Sequence, residues 1–156
     1  MRDRKYLEAN GTILFGPIVP EWFKPISDGC SVPKGLRWIA RAKQGVAACR
    51  IHDYAYFCIS FAYQPGHYRR EELRMAADYM LRENRKKILP WGIRTLYGAL
   101  WFRGVRIGGS KNLKSKARLQ ELLSKVEDFN QVEFISFIES EYPTFDRDWV
   151  LDVLAD

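Results

Sequence analysis

The chain has 156 residues, 47% of them hydrophobic and 14% aromatic, and carries a formal net charge of +6. That composition supplies a core for one folded domain and excludes an intrinsically disordered chain. No run of about 18 uncharged apolar residues occurs, so no transmembrane helix is expected, and the charged start Met1-Arg2-Asp3-Arg4-Lys5 leads into no apolar segment of a secretory leader.

The first 35 residues read as extended structure and turns. Thr12-Ile13-Leu14-Phe15 and Ile18-Val19 are β-prone runs separated by Gly16-Pro17 and closed by Pro20. Asp28-Gly29-Cys30-Ser31-Val32-Pro33 reads as a loop, with Ser31 and Pro33 suited to the start of a helix. From there helices dominate. A short one is expected over Leu36 to Ala42 and a long one over Lys43 to Tyr63. Gln64-Pro65-Gly66 breaks the pattern, and a further helix is expected from Arg69 to Lys87. Helical spacing resumes over Ile93 to Phe102, after Pro90. Two or three short amphipathic helices are expected near the end, marked by Leu119, Leu122 and Val126, by Phe134, Phe137 and Ile138, and by Trp149, Val150 and Val153. The fold class expected is α+β and predominantly helical. Short N-terminal strands precede an antiparallel helix pair, residues 1–109 form the core domain, and residues 110–156 form a helical extension.

Charge is distributed unevenly. Residues 82–125 carry a net charge of +10, residues 126–156 a net charge of −8, and residues 1–81 a net charge of +4. Interleaved with Trp91, Tyr97, Trp101 and Phe102, the basic residues of 82–118 suit the phosphates of anionic lipid or of nucleic acid, or else form a solvated face; no nucleic-acid motif accompanies them. The acidic segment either folds back on the basic one or docks a partner. Cys30, Cys49 and Cys58 are odd in number and form no Cys-x-x-Cys pair, so three thiols are expected and neither a disulfide scaffold nor a zinc site.

The chemistry-bearing motif is His52-Asp53-Tyr54-Ala55-Tyr56. On a helix, Ala48, Cys49, His52, Ala55, Tyr56 and Ile59 share one face. A histidine on that buried face, with a carboxylate beside it and a tyrosine one turn on, suits a general base next to a metal ligand. It equally suits a satisfied polar network that fixes the packing of two helices. Both readings stay open on the residues alone.

Val19-Pro20-Glu21-Trp22-Phe23, Asp28-Gly29-Cys30-Ser31-Val32-Pro33, Ala48 with His52-Asp53-Tyr54-Ala55-Tyr56, and Arg70 with Ala77-Asp78 together resemble a phage-associated domain of unknown function, the family numbered 1353. The resemblance spans about residues 12–108, and Cys30 stands where that pattern has alanine. It implies a bacteriophage or prophage origin, synthesis in the host cytoplasm, and partners among other virion proteins, with the protein itself a candidate virion component. The His-Asp-x-x-Tyr helix is also similar to that of the phospholipase A2 group, whose capsid version in parvoviruses lacks disulfides. That similarity implies His52 as general base and Asp78 as the residue that orients it, with Tyr56 completing the site. It also implies Asp53 as a calcium ligand, with carbonyl oxygens from the loop at Asp28 and Gly29. Hydrolysis of a lipid or other ester at the bacterial envelope is the activity it implies. A non-catalytic tail or head–tail component, with the cluster packing the core, is the alternative.

Overall fold

The computed structural model describes residues 5–7, 13–27, 43–88 and 113–155. Two short strands, β1 (Lys5–Leu7) and β2 (Ile13–Phe15), pair antiparallel with Lys5 opposite Phe15 and Leu7 opposite Ile13. A single 3-10 turn follows at Glu21–Phe23. The helices are α1 (Lys43–Ala62), α2 (Tyr68–Ile88), α3 (Lys116–Leu123), α4 (Gln131–Glu141) and α5 (Arg147–Leu154). The described chain is therefore predominantly helical, and none of its helices is long and apolar enough to cross a membrane. The helices expected at Leu36 to Ala42 and at Ile93 to Phe102 lie outside the described residues.

The N-terminal expectation needs one correction. Ile18-Val19 is not a strand; Ile13–Phe15 is, and it pairs with Lys5–Leu7. Pro17 and Pro20 flank the Ile18-Val19 run, and proline cannot donate to a strand ladder. Between them and β2, Gly16 adopts φ +143°, and a Cβ there would lie 2.2 Å from Ile51 Cγ2 and 2.7 Å from Met80 Sδ. Only glycine lets the chain cross α1 and α2 this closely.

Helix α1 is the centre of the molecule. From Ile51 to Tyr63 every residue except Asp53 is buried. Its apolar surface is thus wider than the one stripe expected, as befits a helix covered on all sides. Tyr54, Phe57 and Phe61 share a core with Leu119 and Leu122 of α3, Phe134 and Ile138 of α4, and Val150 and Val153 of α5. Trp22 fixes the 3-10 turn to this core edge-to-face, with its ring centroid 5.9 Å from Phe57, 5.1 Å from Phe129 and 5.8 Å from Phe134. The start of α5 is tied to the end of α1 by Asp146 N–H donating to the Ala62 carbonyl at 2.8 Å and by Trp149 Nε1–H donating to the Ser60 carbonyl at 3.1 Å. Helices α3, α4 and α5 start at Ser115, Asn130 and Asp146, whose side chains accept from the backbone N–H three residues on.

Helices α1 and α2 meet along an antiparallel seam. Contacts at Cys49 with Arg85 and at Tyr56 with Asp78 run in opposite sequence directions, across the turn at residues 63–67. Further along α2, the side chain of Asn84, fully buried, accepts from Phe15 N–H at 2.8 Å and donates to the Phe15 carbonyl at 2.7 Å. This one amide fastens the strand pair to the helix pair. Replacing it in Asn84→Ala strands a backbone donor and acceptor, so unfolding free energy is expected to fall by about 1–3 kcal/mol. Urea unfolding should show a lower midpoint at unchanged slope; an unchanged midpoint would mean that water replaces the amide there.

Candidate functional site

Histidine 52 lies midway along α1 and is 8% exposed; Asp78 lies midway along α2 and is 2% exposed. The seam brings His52 Nε2 to 3.0 Å from Asp78 Oδ1. Tyr56 O–H donates to the same oxygen at 2.6 Å, and Arg74 Nη1–H donates to Asp78 Oδ2 at 2.8 Å. Tyr56 also packs edge-on against the imidazole, with ring centroids 4.3 Å apart. Because an ionised carboxylate only accepts, this arrangement puts the proton of neutral His52 on Nε2. The basic lone pair is then on Nδ1, which faces Asp53 Oδ1 at 3.9 Å.

The structure brings His52, Tyr56 and Asp78 together: the first two converge on one oxygen of the Asp78 carboxylate. Asp53 stands on the other side of the imidazole. It is half-buried, and its Oδ2 accepts the Ser27 hydroxyl at 2.7 Å. Asp28 and Gly29, the remaining members of the expected metal set, lie outside the described residues. Among the described residues no group of three or more His, Cys, Asp or Glu side chains is placed to hold a metal. Asp53 and the Ser27 hydroxyl do put two hard oxygen donors side by side, the ligand chemistry that calcium prefers.

Arginine 74 was missed by sequence reasoning. It is 4% exposed, and while Nη1 holds Asp78, its Nε donates to Glu71 Oε2 at 2.8 Å and its Nη2 to Glu71 Oε1. The available signal was spacing, since Arg74 precedes Asp78 by four positions and so shares its helix face. Ser27 carried no signal, because its partner is 26 positions away in sequence.

Electrostatics follow from this packing. Burial alone disfavours the His52 imidazolium, but the Asp53 and Asp78 carboxylates outweigh it and hold the His52 pKa above its ordinary value of 6.5. Burial, reinforced by Asp78, pushes the Tyr56 phenol above its usual range, so it remains a donor. Glu71, opposed by burial and helped by Tyr56 and Asp78, keeps the Arg74 guanidinium charged.

Two residues differ from expectation. Cys49, one turn before His52, is disulfide-bonded and not a thiol, while Cys58 is free and fully buried, with burial raising its pKa. Distance along the chain does not limit disulfide pairing; distance in space does. Arg85 does not join the exposed basic face. It is buried, donates to Cys49 Sγ at 3.6 Å, and burial lowers its pKa to about 10. Lys116 pairs with Asp152 at 2.6 Å, so the acidic end of the chain folds back on the basic segment at that point.

Neither a protein-family model, nor a curated protein, nor a solved structure matches this chain.

The raised His52 pKa has a measurable sign. Below about pH 6.5 the histidine is protonated in the folded and unfolded states alike, and its stabilisation is fully present. As pH rises the unfolded chain loses its proton first, so the contribution declines and is gone once pH passes the folded pKa. Relative to His52→Gln, the unfolding free energy of the wild type is expected to fall from about pH 6.5 to the folded pKa and then level off. Parallel pH profiles for the two proteins would contradict this.

Proposed function

We propose that the protein is a bacteriophage-encoded hydrolase with a phospholipase A2-like His/Asp site, cleaving lipid or another ester at the bacterial envelope. The observation that carries this reading is the orientation of His52: Nε2 is fixed by Asp78 at 3.0 Å while Nδ1 is turned towards the half-buried Asp53. We read the whole as an α+β fold, with a short strand pair ahead of an antiparallel helix platform and residues 110–156 as a helical extension.

In this scheme His52 Nδ1 takes a proton from water as the hydroxyl attacks the ester carbonyl carbon. The carbon–oxygen bond to the alcohol then breaks, and His52 returns the proton to the leaving oxygen. Carboxylic acid and alcohol are released, with one water consumed. Asp78 keeps Nε2 protonated and stabilises the imidazolium that forms. Tyr56 and Arg74 prevent the carboxylate from turning away. Calcium held by Asp53, with carbonyl oxygens of Asp28 and Gly29, would polarise the ester carbonyl and offset its developing charge. The basic residues of 82–118 other than Arg85 would attract an anionic membrane surface. Synthesis in the host cytoplasm and association with virion proteins fit the same reading.

A second reading is favoured by how complete the network is. Asp78 has both oxygens occupied by three donors, which is what a purely architectural polar cluster requires. The protein would then be a structural virion component of the tail or head–tail region.

Fatty-acid release from phospholipid vesicles in the presence of calcium separates the two. Wild type is expected to show calcium-dependent release that climbs with pH as His52 loses its proton, because the base must be neutral. His52→Gln is expected to lose about 10²- to 10⁴-fold of the rate with its melting transition retained. No release by wild type, with a lowered melting temperature for His52→Gln, would leave the structural reading.

A further inference from the structure

The turn between α1 and α2 and the segment entering α3 line an open cavity of about 450 Å³. It lies at the opposite end of the seam from the strand pair. By helical rise Arg70 is about 12 Å from Asp78 along α2, so this is a separate place from the His52 cluster. Its walls include His67, Arg70, Glu71, Lys114 and Ser115.

Arginine 70 is the informative residue. It is 6% exposed, and its Nη2 donates to the Lys114 carbonyl at 2.6 Å, so the guanidinium bridges the two segments that form the cavity. Its Nη1 is buried with no hydrogen-bond partner. Arg70 has no ion-pair partner among the described residues, and burial holds its pKa below the usual arginine value. Buried donors are almost always satisfied, and a buried cation is normally paired. An arginine that lines a cavity with one N–H group unused is therefore a donor in want of an acceptor.

The neighbours have the same sign. Lys114 adds a second cation at the wall. His67 Nδ1 accepts Arg69 N–H at 3.2 Å, which leaves Nε2 as the donor of its neutral ring. The ring is held in place by stacking on Tyr63 at 4.8 Å and on Tyr68 at 4.9 Å. Ser115 caps α3, whose positive end opens beside it. Glu71 is the one carboxylate in the wall among the described residues, and two N–H groups of Arg74 already engage it.

We propose that this cavity is an oxyanion site that takes a phosphoryl group, held by Arg70 and Lys114 with His67 and the start of α3 as further donors. Lining residues from both segments carry donors, and arginine is well matched to phosphate oxygens. The proposal does not depend on ester hydrolysis at His52.

Calorimetric titration of the full chain with inorganic phosphate at constant ionic strength tests it. Saturable one-to-one binding is expected with a dissociation constant of about 1 mM or tighter. Arg70→Gln should weaken it at least ~10-fold, and Lys114→Gln, at a partly exposed position outside the core, should weaken it ~3-fold or more. Lys114→Glu should abolish it with the melting temperature retained, which keeps the test decisive if Arg70→Gln fails to fold. No saturable heat with wild type, or equal affinity in wild type and Lys114→Glu, would overturn the proposal. Flotation with phosphatidic-acid vesicles, reversed by soluble phosphate and lost in Lys114→Glu, supports the site and assigns it to a lipid headgroup. Phosphate binding without flotation supports the site and assigns it to a soluble phosphoryl compound.

Discussion

Asp78 is a carboxylate taken almost completely out of water, and the arrangement of α1 and α2 answers to that fact. An ionised group at 2% exposure has to be matched by donors, and its two oxygens receive His52 and Tyr56 from α1 and Arg74 from α2 itself. The match fixes the register of the seam. Sliding either helix by one residue would carry the His52 and Tyr56 donors off Oδ1 and leave a buried charge facing apolar side chains. Apolar packing along the rest of α1 tolerates neighbours of similar volume, but the polar contact at Asp78 admits one alignment. The cluster is thus a positional lock whether or not it is also a catalyst.

A second consequence concerns the histidine. One imidazole nitrogen is consumed in the lock and the other is not held by Asp78, so structural and chemical roles divide between the two atoms of one side chain. Arg74 shapes that division. Its positive charge offsets Asp78, and Glu71 in turn engages Arg74 through two N–H groups. The row Glu71, Arg74, Asp78, His52 alternates in sign from the surface inwards, which lets three charged groups and a histidine share a seam otherwise filled with apolar atoms.

Much of this was legible in the sequence, for identifiable reasons. Gln64-Pro65-Gly66 marked the turn, and the observed helix ends at Ala62 and Tyr68 fall within one residue of those expected. The last three helices were legible from apolar spacing. His52 and Asp78 were paired by what the similarity to the phospholipase A2 group implies, and the helix break between them is compatible with two antiparallel partners. What failed was whatever depended on burial from all sides. Amphipathic spacing reveals one covered face, so it could not show that α1 is enclosed, nor that Arg74 and Arg85 turn inwards. Arginines are normally read as surface residues; the four-residue spacing to Asp78 hinted otherwise for Arg74, and for Arg85 only Cys49 in space does so. The strand at Lys5–Leu7 is three residues long and includes a lysine, too short and too polar for an alternation pattern.

The most direct test of the Asp78 lock is nitrogen-15 NMR of the imidazole of His52 through a pH titration. The expected spectrum of the neutral ring shows the proton on Nε2 and a bare Nδ1, with titration above the ordinary 6.5 and a shift to lower pH in Asp78→Asn. A neutral ring protonated on Nδ1, or a His52 pKa at or below that ordinary value, would contradict the central role given to the His52–Asp78 contact.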